Sequence, residues 1–159
     1  MHMYTSKEVF IKDYEREAKL TLSCFKELND EALEQAVSEK DRTLGEIAWY
    51  ITQSLGGFAS LTGETFEGAS FGSERPETAE EIAQAYETTY QNVLASYQSS
   101  VTDDNLSDEV DFFGTPMPKG GILHAANTHQ VHHRGQMSVL MRQADLHIPS
   151  IYGSSRDDQ

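Results

Sequence analysis

Hydrophobic residues recur at three- and four-residue intervals in four stretches of the chain, and this spacing predicts four amphipathic helices. The helices are predicted over about Thr5 to Leu28, from Thr43, from Thr78, and over about Gly121 to Ala144. Thr5, Thr43 and Thr78 each precede a glutamate by three residues, which is the spacing of a capping box at a helix start.

The connections after the second and third predicted helices are long. Residues 62–77 are rich in glycine and small side chains, and residues 101–120 contain two prolines that interrupt the helical pattern. Within the latter, the EVDFF stretch favours an extended conformation. The sequence therefore predicts an all-α, four-helix bundle in a single domain over residues 1–159, with slight strand content and room for crossover connections.

The formal net charge of -14 argues against binding to nucleic acid or to anionic lipid, because both require an excess of Lys and Arg. No apolar run approaches the roughly 20 residues that span a membrane. The single cysteine, Cys24, permits no internal disulfide and lies among apolar residues. We therefore expect a cytoplasmic protein in which Cys24 is a small core residue.

Three of the six histidines fall within the stretch HQVHHRGQ, residues 129–136. Each helical residue advances about 100° around the axis, so His133 lies about 20° from Ala126, which we take as the centre of the apolar stripe. His129 lies at the edge of the stripe, about 60° away, and His132 lies outside it at about 120°. The pattern therefore predicts an inward-facing pair of histidines rather than a cluster of three.

The spacing of His129 and His133 is the one at which a single helix offers two imidazoles to a divalent metal. The alternative is a hydrogen-bonded polar patch of the core that includes Gln136. Arg134 lies off the apolar stripe, where it can reach a carboxylate of a neighbouring helix or subunit. Gly135 is unfavourable inside a helix, which suggests close approach of another helix or a ligand.

The stretch NTHQVHHRGQMSVLMRQADLHIPSIYG resembles the last helix and tail of the DinB/YfiT-like superfamily. TLGEIAWYITQSL and the FFG-x-P stretch also fit the family pattern, so the resemblance covers most of the chain. It implies a four-helix bundle of this type with long connections between helices 2 and 3 and between helices 3 and 4, and a homodimer. It also implies a divalent metal (zinc, nickel or manganese) held by three histidines, of which His129 and His133 match two.

The third histidine of the family usually follows the tryptophan of the second helix, but here that position is Tyr50. A phenol is a poor ligand unless ionised, because its unperturbed pKa is about 10. Glu46 and Gln53 lie about one helical turn away and are alternative ligands. Two histidines and a phenol make a weaker site than three histidines.

Two functions remain open at this stage. The first is a metal-dependent enzyme, for which the resemblance implies transfer of low-molecular-weight thiols (a thiol S-transferase) or related transferase or hydrolase chemistry between helices 2 and 4. His129, His133 and Tyr50 would bind the metal; Tyr50, as a proton donor, and Gln136, as an orienting group, would serve catalysis. The second is a metal-poor binding or interaction module with a degenerate site, whose pocket holds a small ligand or is filled by Tyr50 and Trp49.

Overall fold

A computed structural model describes residues 3–158, so residues 1, 2 and 159 at the ends of the predicted domain lie outside the described part. The protein is a four-helix bundle with one short hairpin, which confirms the all-α prediction. The main elements are α1 (Lys7–Phe25), α2 (Leu44–Leu61), α3 (Ala79–Ser100), β1 (Glu109–Phe112), β2 (Thr115–Pro118) and α4 (Lys119–Gln143).

The helix starts follow their local sequence. Thr43 and Thr78 form the predicted capping boxes of α2 and α3. The start of α1 was predicted one residue too early, because the hydroxyl of Ser6, rather than Thr5, accepts the cap hydrogen bond from Val9 N. The helix also ends before Leu28, since that residue's N–H bonds three residues back, to Phe25 O at 3.1 Å, in a tighter turn.

The order of the helices around the bundle determines which connections cross it. α2 packs against α3 and α4, and α1 packs against the same two helices, so α1 and α2 are diagonally opposite, as are α3 and α4. The connections over residues 26–43 and 101–118 therefore cross the ends of the bundle. The connection over residues 62–78 joins neighbouring helices although it is long. The adjacency of α2 and α4 places Tyr50 on a helix that faces the His129–His133 pair.

Two glycines in the middle of α2 allow the 62–78 connection to lie directly on the helix. A Cβ at Gly56 would approach the carbonyl oxygen of Ala69 to 1.9 Å, and a Cβ at Gly57 would meet the ring of Phe71 at 2.1 Å. The helix continues through both glycines to Leu61. Glycine is unfavourable inside a helix, and packing of the connection against the helix backbone offsets that cost here.

The start of α4 lies two residues earlier than predicted. Pro118 is the N-cap, and Lys119 and Gly120 belong to the helix. Gly120 fits because the N-terminal segment passes over it: Tyr4 N donates to Gly120 O at 3.1 Å, and a Cβ at Gly120 would approach Tyr4 O to 2.1 Å. The EVDFF stretch forms β1 and the hairpin turn, where Phe113 and Gly114 both have positive φ.

A polar layer crosses the core where α1, α3 and α4 meet. Gln130 accepts hydrogen bonds from Thr21 at 2.9 Å and Tyr86 at 2.5 Å. Arg134, predicted to lie off the core stripe, is only 3% exposed because its guanidinium donates to Glu17 Oε2 at 2.7 Å. The predicted reach toward a carboxylate of a neighbouring helix is confirmed, but it runs through the core. No helix in the described part of the chain is long and apolar enough to cross a membrane.

Candidate metal centre

The two predicted histidines and the tyrosine that replaces the third meet at the α2–α4 interface. The ring centroids of His129 and His133 are 4.4 Å apart, and the ring of Tyr50 lies 5.0 Å from each of them in edge-to-face contact. All three side chains are half-buried. The apolar residues of the predicted core stripe, such as Ala126 and Met137, are buried as expected, whereas His129 and His133 are only half-buried and lie at a groove between the helices.

Burial keeps both imidazoles neutral. It lowers the pKa of His129 to about 4, and repulsion by Arg42, and by His133 and His132 whenever those rings are protonated, acts in the same direction. Burial also lowers the pKa of His133, although a hydrogen bond from its ring to Gln136 raises it in part. A metal ligand must be a neutral imidazole, so the pair is in the required form at neutral pH.

The hydrogen bonds of the two rings differ. His133 Nδ1 lies 2.8 Å from Gln136 Oε1, an oxygen that can only accept, so Nδ1 carries the proton and Nε2 keeps a free lone pair. His129 Nδ1 is buried and has no hydrogen-bond partner within residues 3–158. A buried nitrogen left without a partner costs free energy that a metal ion or a ligand donor would recover.

The other two histidines of α4 lie outside this pair. His132 is exposed, as predicted from its angle, although its ring contacts that of His133 at 4.8 Å. His124 lies on the opposite side of the helix, where the ring of Tyr4 partly covers it at 5.9 Å.

Neither alternative for the third ligand reaches the histidine pair. Glu46 is exposed and its carboxylate accepts from Thr43 N at 2.7 Å in the capping box of α2. Gln53 donates to the carbonyl oxygen of Ser73 at 2.7 Å, beside the indole of Trp49, which donates to the same oxygen. Trp49 therefore faces the 62–78 connection, and only Tyr50 of the second-helix candidates contacts the histidines.

The donor atoms of the site indicate which of the implied divalent metals it would favour. The orphaned nitrogen of His129 and the free Nε2 of His133 suit zinc or nickel, which prefer imidazole, better than manganese, which prefers oxygen ligands. Within residues 3–158, no three His, Cys, Asp or Glu side chains lie together as a metal-binding group. The residues thus fit an ion held by two imidazoles, with further positions left to Tyr50 or to a small molecule.

Two residues at the site carried no signal in the sequence. The guanidinium of Arg42 lies 4.2 Å above the centre of the Tyr50 ring, although Arg42 precedes α2 and belongs to no periodic pattern. The ring of Phe58, an apolar residue of α2, contacts His129 at 5.6 Å and stacks on Phe112 of the hairpin at 6.1 Å. The site therefore has an aromatic end and a cationic end.

A cavity of about 440 Å³ opens beside the cationic end. Its polar wall includes His133, Gln136 and Arg42, and its apolar wall consists of Val37, Ile47, Val139 and Leu140. Its size is within the range of small-molecule sites in proteins.

Gly135 differs from its prediction. No atom of the described chain lies within 4 Å of the position that a Cβ at Gly135 would occupy, and the residue is exposed. The expectation that another helix comes close to Gly135 is therefore wrong within residues 3–158, and close approach of a ligand stays a prediction.

Comparison with known proteins agrees with the fold. The family model described as "DinB family" matches residues 3–159. The uncharacterised protein YrdA of Bacillus subtilis strain 168 is 36% identical over 156 residues, covering 98% of this chain and 93% of YrdA. The crystal structure of a DinB-like protein from Bacillus cereus ATCC 10987 is 39% identical, with a TM-score of 0.90 over 94% of this chain and 100% of that one. The DinB-like protein YjoA of Bacillus subtilis, 19% identical, has the same fold, with a TM-score of 0.71 over 92% of this chain and 98% of YjoA.

Proposed function

Because the chain belongs to the DinB family, we propose that it is a metal-dependent enzyme in which His129 and His133 bind one divalent ion between α2 and α4. The observation that carries this proposal is the pair of neutral, half-buried imidazoles, one of which has a buried nitrogen without a partner. Zinc or nickel is the ion that two imidazoles favour.

The proposed reaction is transfer of a low-molecular-weight thiol to an electrophile, or a related transferase or hydrolase reaction. A divalent ion at this position supplies a lowered pKa for a bound thiol or water. Gln136 holds the His133 ring in the tautomer that leaves Nε2 free. Tyr50 closes the α2 side of the site and is the candidate proton donor or weak ligand, and the adjacent cavity supplies room for the substrate.

Zinc titration tests the metal site directly. Protein purified without a metal-affinity tag and stripped with EDTA is titrated with zinc by calorimetry, alongside the His129→Ala/His133→Ala variant. We expect about one zinc per wild-type chain and loss of that binding in the double variant. The His147→Ala variant is the matched control, because His147 is exposed and pairs with Glu27 at 3.3 Å, away from the groove. Unchanged binding in the double variant would refute the ligand assignment.

A second function, binding of a small molecule without a metal, is favoured by one observation. The guanidinium of Arg42 lies over Tyr50 and places a positive charge beside the histidines, where it repels a metal cation. The Tyr50→His variant separates the two functions. If that variant binds zinc stoichiometrically and the wild type does not, the natural site is degenerate and the binding function holds. Stoichiometric binding by the wild type favours the enzyme.

We also propose that the protein is a cytoplasmic homodimer. Gly135 and Val139 form an exposed strip on α4, and Val139 and the nearby Val37 are 56% and 69% exposed. A second copy covering this strip would explain a helical glycine that no atom of residues 3–158 approaches. Light scattering coupled to gel filtration measures the mass, and a mass of one chain at micromolar concentration would contradict the dimer. The cytoplasmic location is supported by the single, buried Cys24.

A further inference from the structure

The cavity at the cationic end of the site has the features of a selective binding pocket. One wall is formed by aliphatic side chains, and its polar end is formed by Arg42 together with His133 and Gln136. Val37 and Val139, which are 69% and 56% exposed, belong to this aliphatic wall. An apolar wall with a polar end is suited to a ligand that has an apolar body and a single polar terminus.

Arg42 is free to bind such a terminus. Its guanidinium carbon lies 4.2 Å from the centre of the Tyr50 ring, so the face of the group contacts the ring while its N–H edge remains available. Among residues 3–158 it forms no ion pair, whereas Glu17 and Asp157 pair with four other arginines. Arg75 also forms no ion pair among the described residues, but it does not line this cavity.

Asp41 limits the charge that the cavity accepts. Asp41 also lines the cavity. Its carboxylate accepts a hydrogen bond from the Ser38 hydroxyl at 2.6 Å and, among residues 3–158, forms no ion pair with the adjacent Arg42. It repels a second negative charge on a bound molecule. A single carboxylate can approach the N–H edge of Arg42, where two parallel hydrogen bonds give the most favourable geometry.

We propose that this cavity binds a small monoanion with an apolar body, and that Arg42 binds its carboxylate as a specificity-determining residue. The inference rests on the proposed function in that it assigns the substrate class of the same site. It follows from the unpaired guanidinium, its stacking on Tyr50 and the aliphatic wall, none of which requires a metal.

The test uses two probes of equal shape, 2-naphthoate and 2-naphthamide, and calorimetry with metal-free protein. We expect wild-type protein to bind the carboxylate about tenfold more tightly than the amide, which corresponds to about 1.4 kcal/mol. In the Arg42→Gln variant this preference disappears, while the affinity for the amide stays within about twofold. The Arg156→Gln variant is the control, because that exposed arginine lies in the tail and pairs with Asp157.

Repeating the titration with zinc-loaded protein separates this inference from the proposed function. A carboxylate preference that is present without metal and lost in Arg42→Gln supports the inference even if zinc does not bind. A preference that appears only with zinc and survives Arg42→Gln makes the metal the anion receptor, which overturns the inference and supports the proposed function. Equal affinity for both probes, or binding of neither, also overturns it.

Discussion

Tyr50 decides the character of the site at the level of single residues. Its ring contacts both histidines at 5.0 Å and also contacts the guanidinium of Arg42, so one side chain joins the proposed metal site to the proposed anion pocket. A histidine at this position would give three imidazoles, the donor set of a firmly held ion. With a phenol there, an ion would be held by two protein nitrogens and would exchange more readily.

The low pKa of His129 predicts a pH-dependent stability in the metal-free protein. The folded-state pKa of about 4 lies below the unfolded value of about 6.5, so the unfolded chain takes up more protons between these values. The stabilisation is complete above about pH 6.5 and falls as the pH drops toward 4. Because the ring is half-exposed and screened by solvent, the loss is about 1–2 kcal/mol.

Urea unfolding in EDTA at pH 7 and pH 4.5 measures this effect. The His129→Gln variant has no titrating ring and should lose less stability than the wild type over this interval. The His147→Gln variant serves as the control because its ring is exposed. An equal loss in wild type and His129→Gln would contradict the burial of a neutral imidazole.

Helical angles alone identified part of this site. They placed His129 and His133 on one face and His132 on another, because residue spacing fixes direction around a helix. They placed Arg134 outside the core, because an angle around one helix axis does not show that a side chain forms a buried ion pair with another helix. Arg42 escaped prediction for a similar reason: its position depends on how a connection folds back over α2.

At the level of elements, the sequence predicts helices better than connections. The capping boxes at Thr43 and Thr78 are local signals and are present as predicted. The crossing of the bundle by residues 26–43 depends on how helices pack, which no local pattern specifies. Gly56 and Gly135 illustrate the difference, because both are helical glycines and only one of them has a neighbour that requires it.

Alanine substitution at these two glycines should have opposite effects. In Gly56→Ala the new methyl group meets the Ala69 carbonyl at 1.9 Å, which forces the connection away from α2 and destabilises the protein by about 1–3 kcal/mol. In Gly135→Ala the methyl group enters open space among residues 3–158 and should stabilise the monomeric chain by about 0.5–1 kcal/mol, whereas a second copy packed against Gly135 would oppose this gain. Urea unfolding of both variants provides the measurement, and a stabilised Gly56→Ala would contradict the packing described above.

At the level of the whole molecule, a buried ion pair between α4 and α1 also forms a hydrogen bond with the C-terminal tail. Arg134 of α4 donates to Glu17 of α1 at 2.7 Å, and Tyr152 of the tail donates to the same carboxylate at 2.5 Å. Burial raises the pKa of Glu17, but hydrogen bonds from Tyr152 and Arg134 lower it by a larger amount, so the net shift is downward. The carboxylate is therefore ionised and depends on its partners.

Removing one charge of this ion pair should destabilise the protein more than removing both charges. Arg134→Met leaves the carboxylate of Glu17 buried without its main counter-charge and destabilises the protein by about 3 kcal/mol. The Glu17→Met/Arg134→Met variant replaces both charges and should recover most of that loss. Thermal and urea unfolding measure the difference, with exposed Arg156→Met as the control. A double variant less stable than Arg134→Met would show that the pair itself stabilises the fold.

Anomalous diffraction from a crystal soaked in zinc tests the central claim, that His129 and His133 form a metal site, most directly. Data collected on both sides of the zinc absorption edge locate the ion without reference to activity. We predict one ordered peak between α2 and α4, about 2.0–2.1 Å from a ring nitrogen of each histidine. Absence of a peak there, with zinc found only at exposed histidines such as His132 or His147, would contradict the assignment.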